Sequence, residues 1–204
     1  MDKQLELIRE LQALTQTGLY YCENKFCHGR NERIREIATE LLAERTNLPL
    51  VKVKDLFCGD VGYQTPKVET RAAIFRDDKI LLVQESDGRW SMPGGWCEVN
   101  LSPVDNVIKE VREEAGLDCV VEKVIAVQDR AKHNKPDYIY GIVKLIYLCR
   151  ATTDGEFVPN LETIGRKYFA LDELPALAEA KCNAEQIKLS FEAAHAKFWE
   201  TQFD

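Results

Sequence analysis

No stretch of this chain is apolar for long enough to span a membrane, and no secretion leader precedes the first amphipathic segment. Met1-Asp2-Lys3-Gln4 runs straight into a helical pattern, so a soluble cytoplasmic protein is expected. Positive charge is also in short supply. Lys and Arg total 27 against 34 Asp and Glu, a formal net charge of −7. A surface of that sign gains little from a nucleic-acid backbone, which argues against a duplex-binding module. A small polyanionic substrate would need a local device, either metal ions or a few placed cations. Paired cysteine motifs are missing as well. The seven cysteines (Cys22, Cys27, Cys58, Cys97, Cys119, Cys149 and Cys182) are odd in number and form no paired CxxC motifs. Neither a disulfide framework nor a zinc ribbon is expected. Cys22 and Cys27, with His28 beside them, make half of a metal site whose second half is absent; separate reduced thiols fit a cytosolic protein better. There are no internal repeats, and the charges of both signs are mixed along the chain, which excludes extensive disorder.

What is present divides the chain in two. The 204 residues allow one ordinary domain and a small second one. In the first 60 residues, Leu5, Ile8, Leu11 and Leu14 mark a helix that Gly18 is expected to stop. Ile34, Ile37, Ala38, Leu41 and Leu42 mark a second helix over 32–45, with Asn31 as its N-cap. An aromatic and cysteine-rich loop holding Tyr20, Tyr21, Phe26 and Cys27 is expected between them, and a short helix or strand over 51–57. A helical region of this size has a marginal core. It packs on itself, on the main domain or on a second copy; a dimerisation element is the favoured role. From residue 61 onward the pattern turns to strands. VETRAAIF (68–75) and KILLVQ (79–84) flank Arg76-Asp77-Asp78 as a hairpin. Further strands are expected over 120–128, 139–150 and 167–170, and a last helix over 186–199. Strands and helices alternate without regular βαβ repetition, which predicts an α+β fold built as an α/β/α sandwich.

The most informative stretch is PGGWCEVNLSPVDNVIKEVREEAGL, residues 93–117. Ser102 is a good N-cap, Pro103 suits the first helical position, Asp105 stands at the capping-box position and Gly116 is a natural stop. A helix over 103–115 follows. Val104, Val107, Ile108, Val111 and Ala115 form one stripe; Glu110, Glu113 and Glu114 cluster away from it. Like charges at such spacing repel by a few tenths of a kcal/mol per pair. Carboxylates gathered beside a Gly-Gly loop therefore suggest an opposing cation, and hard oxygen ligands favour Mg²⁺ or Mn²⁺ over zinc. A plain solvated acidic face is the simpler alternative. The joint occurrence of cap, Pro93-Gly94-Gly95 and terminal Gly116 weighs against it.

This stretch resembles the Nudix box, G-x5-E-x7-R-E-U-x-E-E-x-G-U with U bulky and apolar. Gly95, Glu110, Val111, Glu113, Glu114, Gly116 and Leu117 match in register; Leu101 replaces the first Glu and Lys109 the Arg. The flanking Gly62-Tyr63-Gln64-Thr65-Pro66-Lys67, Arg71-Ala72-Ala73-Ile74-Phe75 and Gly88-Arg89-Trp90-Ser91-Met92 extend the similarity over nearly the whole chain. They resemble a subgroup with a helical N-terminal domain that acts on nucleoside diphosphates linked to another moiety, such as CDP-choline or ADP-ribose. The resemblance implies a pyrophosphohydrolase that releases a nucleoside monophosphate and a phosphorylated second half. It also implies that Glu110, Glu113 and Glu114, joined by the Gly95 carbonyl, serve the metal. Lys109 keeps the charge of the Arg it replaces without its planar fork.

Glu113, Glu114 and Glu162 are the candidates for accepting a proton from the attacking water; Glu162 is equally readable as an ordinary loop acid. Arg71 is a candidate for a substrate phosphate or for a simple ion pair. His133, in the polar loop 129–136, is a candidate ligand contact or a merely exposed histidine. Trp90 and Trp96 flank the Gly-Gly loop and either stack on a base or pack in the core. Two other functions stay open: a housecleaning hydrolase of nucleoside triphosphates, and a Nudix-fold sensor that binds nucleotides without cutting them.

Overall fold

The computed structural model describes residues 2–46 and 48–204; Met1, which opens the amphipathic segment, lies outside them. The chain forms two compact units. One runs to Pro66 and also takes in Asp137–Gly141; the other comprises Lys67–Pro136 and Ile142–Asp204.

The first unit is built from α1 (Lys3–Tyr21), α2 (Lys25–Thr46) and α3 (Leu50–Phe57). Asp2 caps α1 by accepting from the N–H groups of Gln4 and Leu5. Leu5, Ile8, Ala38, Leu42, Val53 and Phe57 make its core, and Ile139 of the Asp137–Gly141 segment packs against them. Gly18 does not stop α1. The helix continues to Tyr21, and Gly18 instead lets α2 come close: a Cβ there would lie 2.6–2.7 Å from the Asn31 side chain. Asn31 is correspondingly inside α2 and not its cap, with its Nδ2 donating to the Cys27 carbonyl. Asn24 takes the capping role, its Oδ1 accepting from the N–H groups of Phe26 and Cys27 at 2.9 and 3.3 Å. The expected aromatic loop shrinks to three residues, because Tyr20, Tyr21, Phe26 and Cys27 all lie within the helices.

The second unit is a mixed seven-stranded sheet with a helix on each face. Its strands are β1 (Lys67–Arg76), β2 (Lys79–Glu85), β3 (Trp90–Ser91), β4 (Cys119–Asp129), β5 (Ile142–Ala151), β6 (Thr163–Phe169) and β7 (Gln202–Phe203). They follow the order β3-β2-β1-β5-β4-β7, with β6 on β2. The β1–β2 turn puts Asp77 and Asp78 at φ +49° and +59°, the backbone that a two-residue hairpin demands. Alternation along the strands sorts the core. Ala72, Ile74, Leu81 and Val83 meet Val107, Val111 and Ala115 of α4 (Pro103–Ala115) on one face. Ala73, Ile80, Leu82 and Ile146 meet Ile187 and Phe191 of α6 (Ala184–His195) on the other. This is the α/β/α sandwich expected, as an α+β fold.

The segment read as a polar loop differs. Residues Arg130–His133 form a short helix, α5, and Arg130 and Asn134 are buried. Arg130 donates to the carbonyls of Ala180 and Pro136, and Asn134 to the carbonyl of Glu179, so the polar side chains turn inward to satisfy backbone oxygens. The strand expected from residue 139 starts at Ile142, because Asp137–Gly141 belongs to the first unit. Among the described residues no helix is long and apolar enough to cross a membrane.

Gly18→Val should weaken the α1–α2 contact. The added side chain overpacks against Asn31, a cost of about 1–3 kcal/mol, readable as a lower urea midpoint. Unchanged stability would show that the helices separate freely at this point.

Candidate active site

The site is hung on β1. The loop after β3 runs alongside that strand as an irregular ladder: Ala72 N–H donates to Pro93 O at 2.8 Å, Thr70 N–H to Gly95 O at 2.9 Å and Cys97 N–H to Val68 O at 2.8 Å. The approach is so close that a Cβ on Gly94, at φ +141°, would stand 2.1 Å from Thr70 O. Only glycine fits there. The loop then reaches α4, whose start is built as its sequence requires. Ser102 Oγ accepts from Asp105 N–H at 3.1 Å, while the Asp105 carboxylate takes the Ser102 hydroxyl at 2.6 Å and not the Ser102 backbone N–H. Gly116, at φ +63°, closes the helix with its N–H on Arg112 O. Asn106, buried in α4, pins the helix to the ladder by donating to Thr70 Oγ1 and accepting from Glu98 N–H, both at 3.0 Å.

Two carboxylates of α4 meet this loop. Glu114 is 5 % exposed and accepts the Gly94 N–H at 2.7 Å. Burial pushes its carboxyl up to about 7, against the opposing pull of the Arg71 guanidinium and the Gly94 N–H; the charges of Glu110 and Glu85 add to the rise. Glu110 lies over Gly95, where a Cβ would come within 3.0–3.2 Å of its carboxyl group. Its carboxyl is also raised, chiefly by burial and further by Glu113 and Glu162, with Lys109 and Arg71 opposing.

Glu113 is turned differently. Its carboxylate is taken by Lys109 one turn earlier, and Lys109 also pairs with Glu98 at 3.1 Å. The hydrogen bond to Glu113 leads the causes that hold the Lys109 ammonium above its ordinary range. The three acids of the box are therefore not gathered at one point, and among the described residues no three His, Cys, Asp or Glu side chains are disposed to hold a metal ion. Glu114 and Glu110 do stand against consecutive residues of this loop, Gly94 and Gly95, as two acids whose burial and repulsion a divalent cation would relieve. Such a donor set of hard oxygens fits Mg²⁺-type ions.

Glu162 is exposed, yet its charge reaches Glu110. The turn that carries it is fastened to the end of α4: Asn160 Nδ2 donates to Glu113 O at 2.9 Å and Thr163 Oγ1 to Glu114 O at 3.2 Å. Arg71 is 3 % exposed, with Nε and Nη2 on Glu69 Oε1 at 2.8 and 2.6 Å and Nη1 on Met92 O at 3.0 Å. Trp90 stands edge-on to Phe169 at 4.9 Å, against the hydrophobic core on the α6 face. His133 is engaged by Asp204. The residues brought together are thus Gly95, Glu110, Glu114 and Arg71, with Lys109, Glu113 and Glu162 around them.

Glu85 was not among the residues singled out from sequence. It is buried on β2, accepting from Ser91 Oγ at 2.8 Å and Lys181 Nζ at 2.6 Å, and its charge bears on Glu114. The signal was there: Leu81, Val83 and Glu85 share one face by alternation, so an acid closes a core stripe. Glu69 and Lys144, partners across β1 and β5 and 3.7 Å apart at Oε1 and Nζ, carry the same mark of charge on an inward position.

Because the folded chain holds a proton on Glu114 that the unfolded chain releases near pH 4.5, metal-free stability should fall as pH rises from about 4.5 to about 7 and then level off. Glu114→Gln lacks that loss. In EDTA its stability relative to wild type should grow across this window, by about 3 kcal/mol at 1.36 kcal/mol per pH unit. Chemical denaturation at pH 5 and pH 8 reads the difference; an equal offset at both would place the proton elsewhere.

The comparisons with known proteins agree with this construction. A family described as UDP-X-like, N-terminal oligomerisation domain matches residues 2–57, and the NUDIX domain matches residues 65–190. YjhB of Bacillus subtilis (strain 168), provisionally named an ADP-ribose pyrophosphatase, is 35 % identical over 203 residues, covering 99 % of this chain and 97 % of that protein. A crystal structure of a UDP-X diphosphatase shares 31 % identity and a TM-score of 0.65, covering 98 % of this chain and 97 % of its own. An ADP-ribose pyrophosphatase from Streptococcus suis 89-1591 shares 53 % identity and a TM-score of 0.64, covering 69 % of this chain and all of that one. Nudix hydrolases in general depend on a divalent metal ion. By the matched domain, the box on α4 and relatives that span its whole length, this chain belongs to the Nudix hydrolase family.

Proposed function

We propose that this chain cuts the P–O–P bridge of a nucleoside diphosphate derivative, with ADP-ribose as the leading substrate and CDP-choline and UDP-linked compounds as close alternatives. The products are a nucleoside monophosphate and a phosphorylated second half. The observation that carries this reading is the pairing of Glu110 and Glu114 beside the Gly94-Gly95 backbone. Mg²⁺, or Mn²⁺ in its place, held by Glu110 and Glu114 with the Gly95 carbonyl, would neutralise the charge that grows on the phosphate oxygens.

The chain's own groups divide the remaining work. The Gly94 N–H holds the Glu114 carboxylate in place, while Arg71, with its donors on Glu69 and Met92 O, bears on Glu114 through its charge and acts as a positioning residue. Lys109 balances Glu98 and Glu113 at the solvent side of the helix. Glu162, exposed and close enough to bear on Glu110, is the proposed acceptor of the water's proton, with Glu113 and Glu114 as the other candidates. Trp90, packed on Phe169, and His133, held by Asp204, are not needed in this account.

The first unit is proposed to form a homodimer, in a single cytoplasmic compartment with the substrate. Leu7, Leu14, Ile37 and Leu41 are large apolar side chains left exposed on α1 and α2, more than a small helical unit leaves without a partner. Sedimentation should give twice the chain mass of 23.3 kDa, and Leu7→Glu with Leu14→Glu should reduce it to the single-chain mass. A monomeric wild type would contradict the dimer.

Incubation with ADP-ribose and Mg²⁺ should yield AMP and ribose 5-phosphate. Glu114→Gln should lose most of the turnover, by about 10²-fold or more, with its fold intact; Glu162→Gln should lower kcat by about 10²–10⁴-fold with KM little changed, the range for removing a general base. Release of inorganic pyrophosphate from triphosphates, with diphosphate derivatives untouched, would replace this reading by the housecleaning one.

A further inference from the structure

Helix α4 ends, as every helix does, with carbonyls that have no partner inside it. The Gly116 N–H takes the Arg112 carbonyl. The next three are each taken by a side chain from one later segment. Asn160 Nδ2 donates to Glu113 O at 2.9 Å, Thr163 Oγ1 to Glu114 O at 3.2 Å and Arg166 Nη1 to Ala115 O at 2.6 Å. Side chains three residues apart thus serve consecutive carbonyls. Arg166 Nη1 also donates to Gly155 O at 3.0 Å, and Gly155 lies so near the helix end that a Cβ on it would stand 2.0 Å from Gly116 O. The chain between β5 and β6 is laced to the last turn of the helix that carries Glu110 and Glu114.

Glu162 sits inside this lacing, between Asn160 and Thr163, and its two sides are held differently. Thr163 opens β6, is buried, and pairs in register with Glu85 of β2. Asn160, Leu161 and Glu162 are exposed, Leu161 at 97 %. Burial does not hold these three; the hydrogen bonds of one residue do. Asn160 Oδ1 accepts from the N–H groups of Glu162 and Thr163, both at 2.8 Å, while its Nδ2 reaches the helix. The Asn160 N–H donates to Thr163 O at 2.9 Å and closes the turn. The acceptor end of the amide shapes the turn, as asparagine commonly does. The donor end fastens that turn to α4.

We propose that Asn160 is the positioning residue for Glu162, its single amide setting where the Glu162 carboxylate stands relative to the acids of α4. This rests on the reading of Glu162 as the acceptor of the water's proton. A proton acceptor must lie within hydrogen-bond reach of the group it serves, and a displacement of about 1 Å costs about 10²-fold in rate. Asn160 touches no reacting atom in this scheme; it acts through Glu162.

The two ends of the amide can be separated. Asn160→Asp keeps an acceptor for the turn and loses the donor to Glu113 O; Asn160→Ala loses both. With ADP-ribose and Mg²⁺, both variants should lower kcat by about 10- to 10²-fold with KM little changed. In the Glu162→Gln background neither should lower kcat further, because the group being placed is gone. Hydrogen exchange of the metal-free chain reads the fastening without turnover: over residues 160–164 it should be several-fold faster in Asn160→Ala and unchanged elsewhere. Normal turnover in Asn160→Asp beside a slow Asn160→Ala would show that the turn alone suffices, and would overturn the tie to α4. A slow Asn160→Asp beside a normal Asn160→Ala would assign the loss to the added charge and overturn it too. Losses that multiply with that of Glu162→Gln, or exchange left unchanged over 160–164, would likewise overturn the positioning role. Normal turnover in Glu162→Gln by itself would remove the proton acceptor, and the role of Asn160 with it.

Discussion

Gly94 donates its backbone N–H to Glu114 and can do so only because it carries no side chain. Its φ of +141° and the 2.1 Å that would separate a Cβ from Thr70 O leave room for hydrogen alone. The chemistry proposed for the second unit depends on that approach. It lets the loop after β3 lie along β1, brings Gly95 under Glu110, and sets Arg71 beside a carboxylate that burial alone would neutralise. Glu114 is left near the balance between its two protonation states. A cation held at this corner, as proposed, would compete with a proton there, since the buried acid is costly to ionise without it.

Local rules account for the part of this that could be read in the sequence. Ser102, Pro103 and Gly116 give the bounds of α4 as observed, since capping chemistry is decided within a few residues. The alternation of Ala72–Ile74 and Leu81–Val83 gives the strand faces, and a helix on each side completes the expected sandwich. Long-range packing accounts for what was not legible. Gly18 reads as a helix stop in isolation and is a helix contact in the fold, because the reason for it, Asn31, lies thirteen residues on. The polar string after Asp129 reads as a surface loop, yet Arg130 and Asn134 turn inward to backbone carbonyls of the segment before α6.

The site shows the same division. The spacing of Glu110 and Glu114 follows from helix geometry, whereas Glu113, four residues after Lys109 as Glu114 is after Glu110, is diverted to Lys109. An i, i+4 pair permits that ion pair, but spacing alone cannot choose between it and a shared cation. Glu85 and Glu69 escaped notice because a charged residue on an inward strand position acquires its meaning from partners far along the chain, Lys181 in one case and Lys144 in the other.

A divalent cation and a proton are proposed to exchange at Glu114. Calorimetric titration of the metal-free protein with Mg²⁺, in buffers of different ionisation enthalpy, counts the protons set free. At pH 6 about one proton should be released per bound cation, falling toward none by pH 9, since a ligand carboxyl must be ionised to bind. Cation binding at pH 6 with no proton release would contradict the account, because Glu114 would then already be ionised in the folded, metal-free protein.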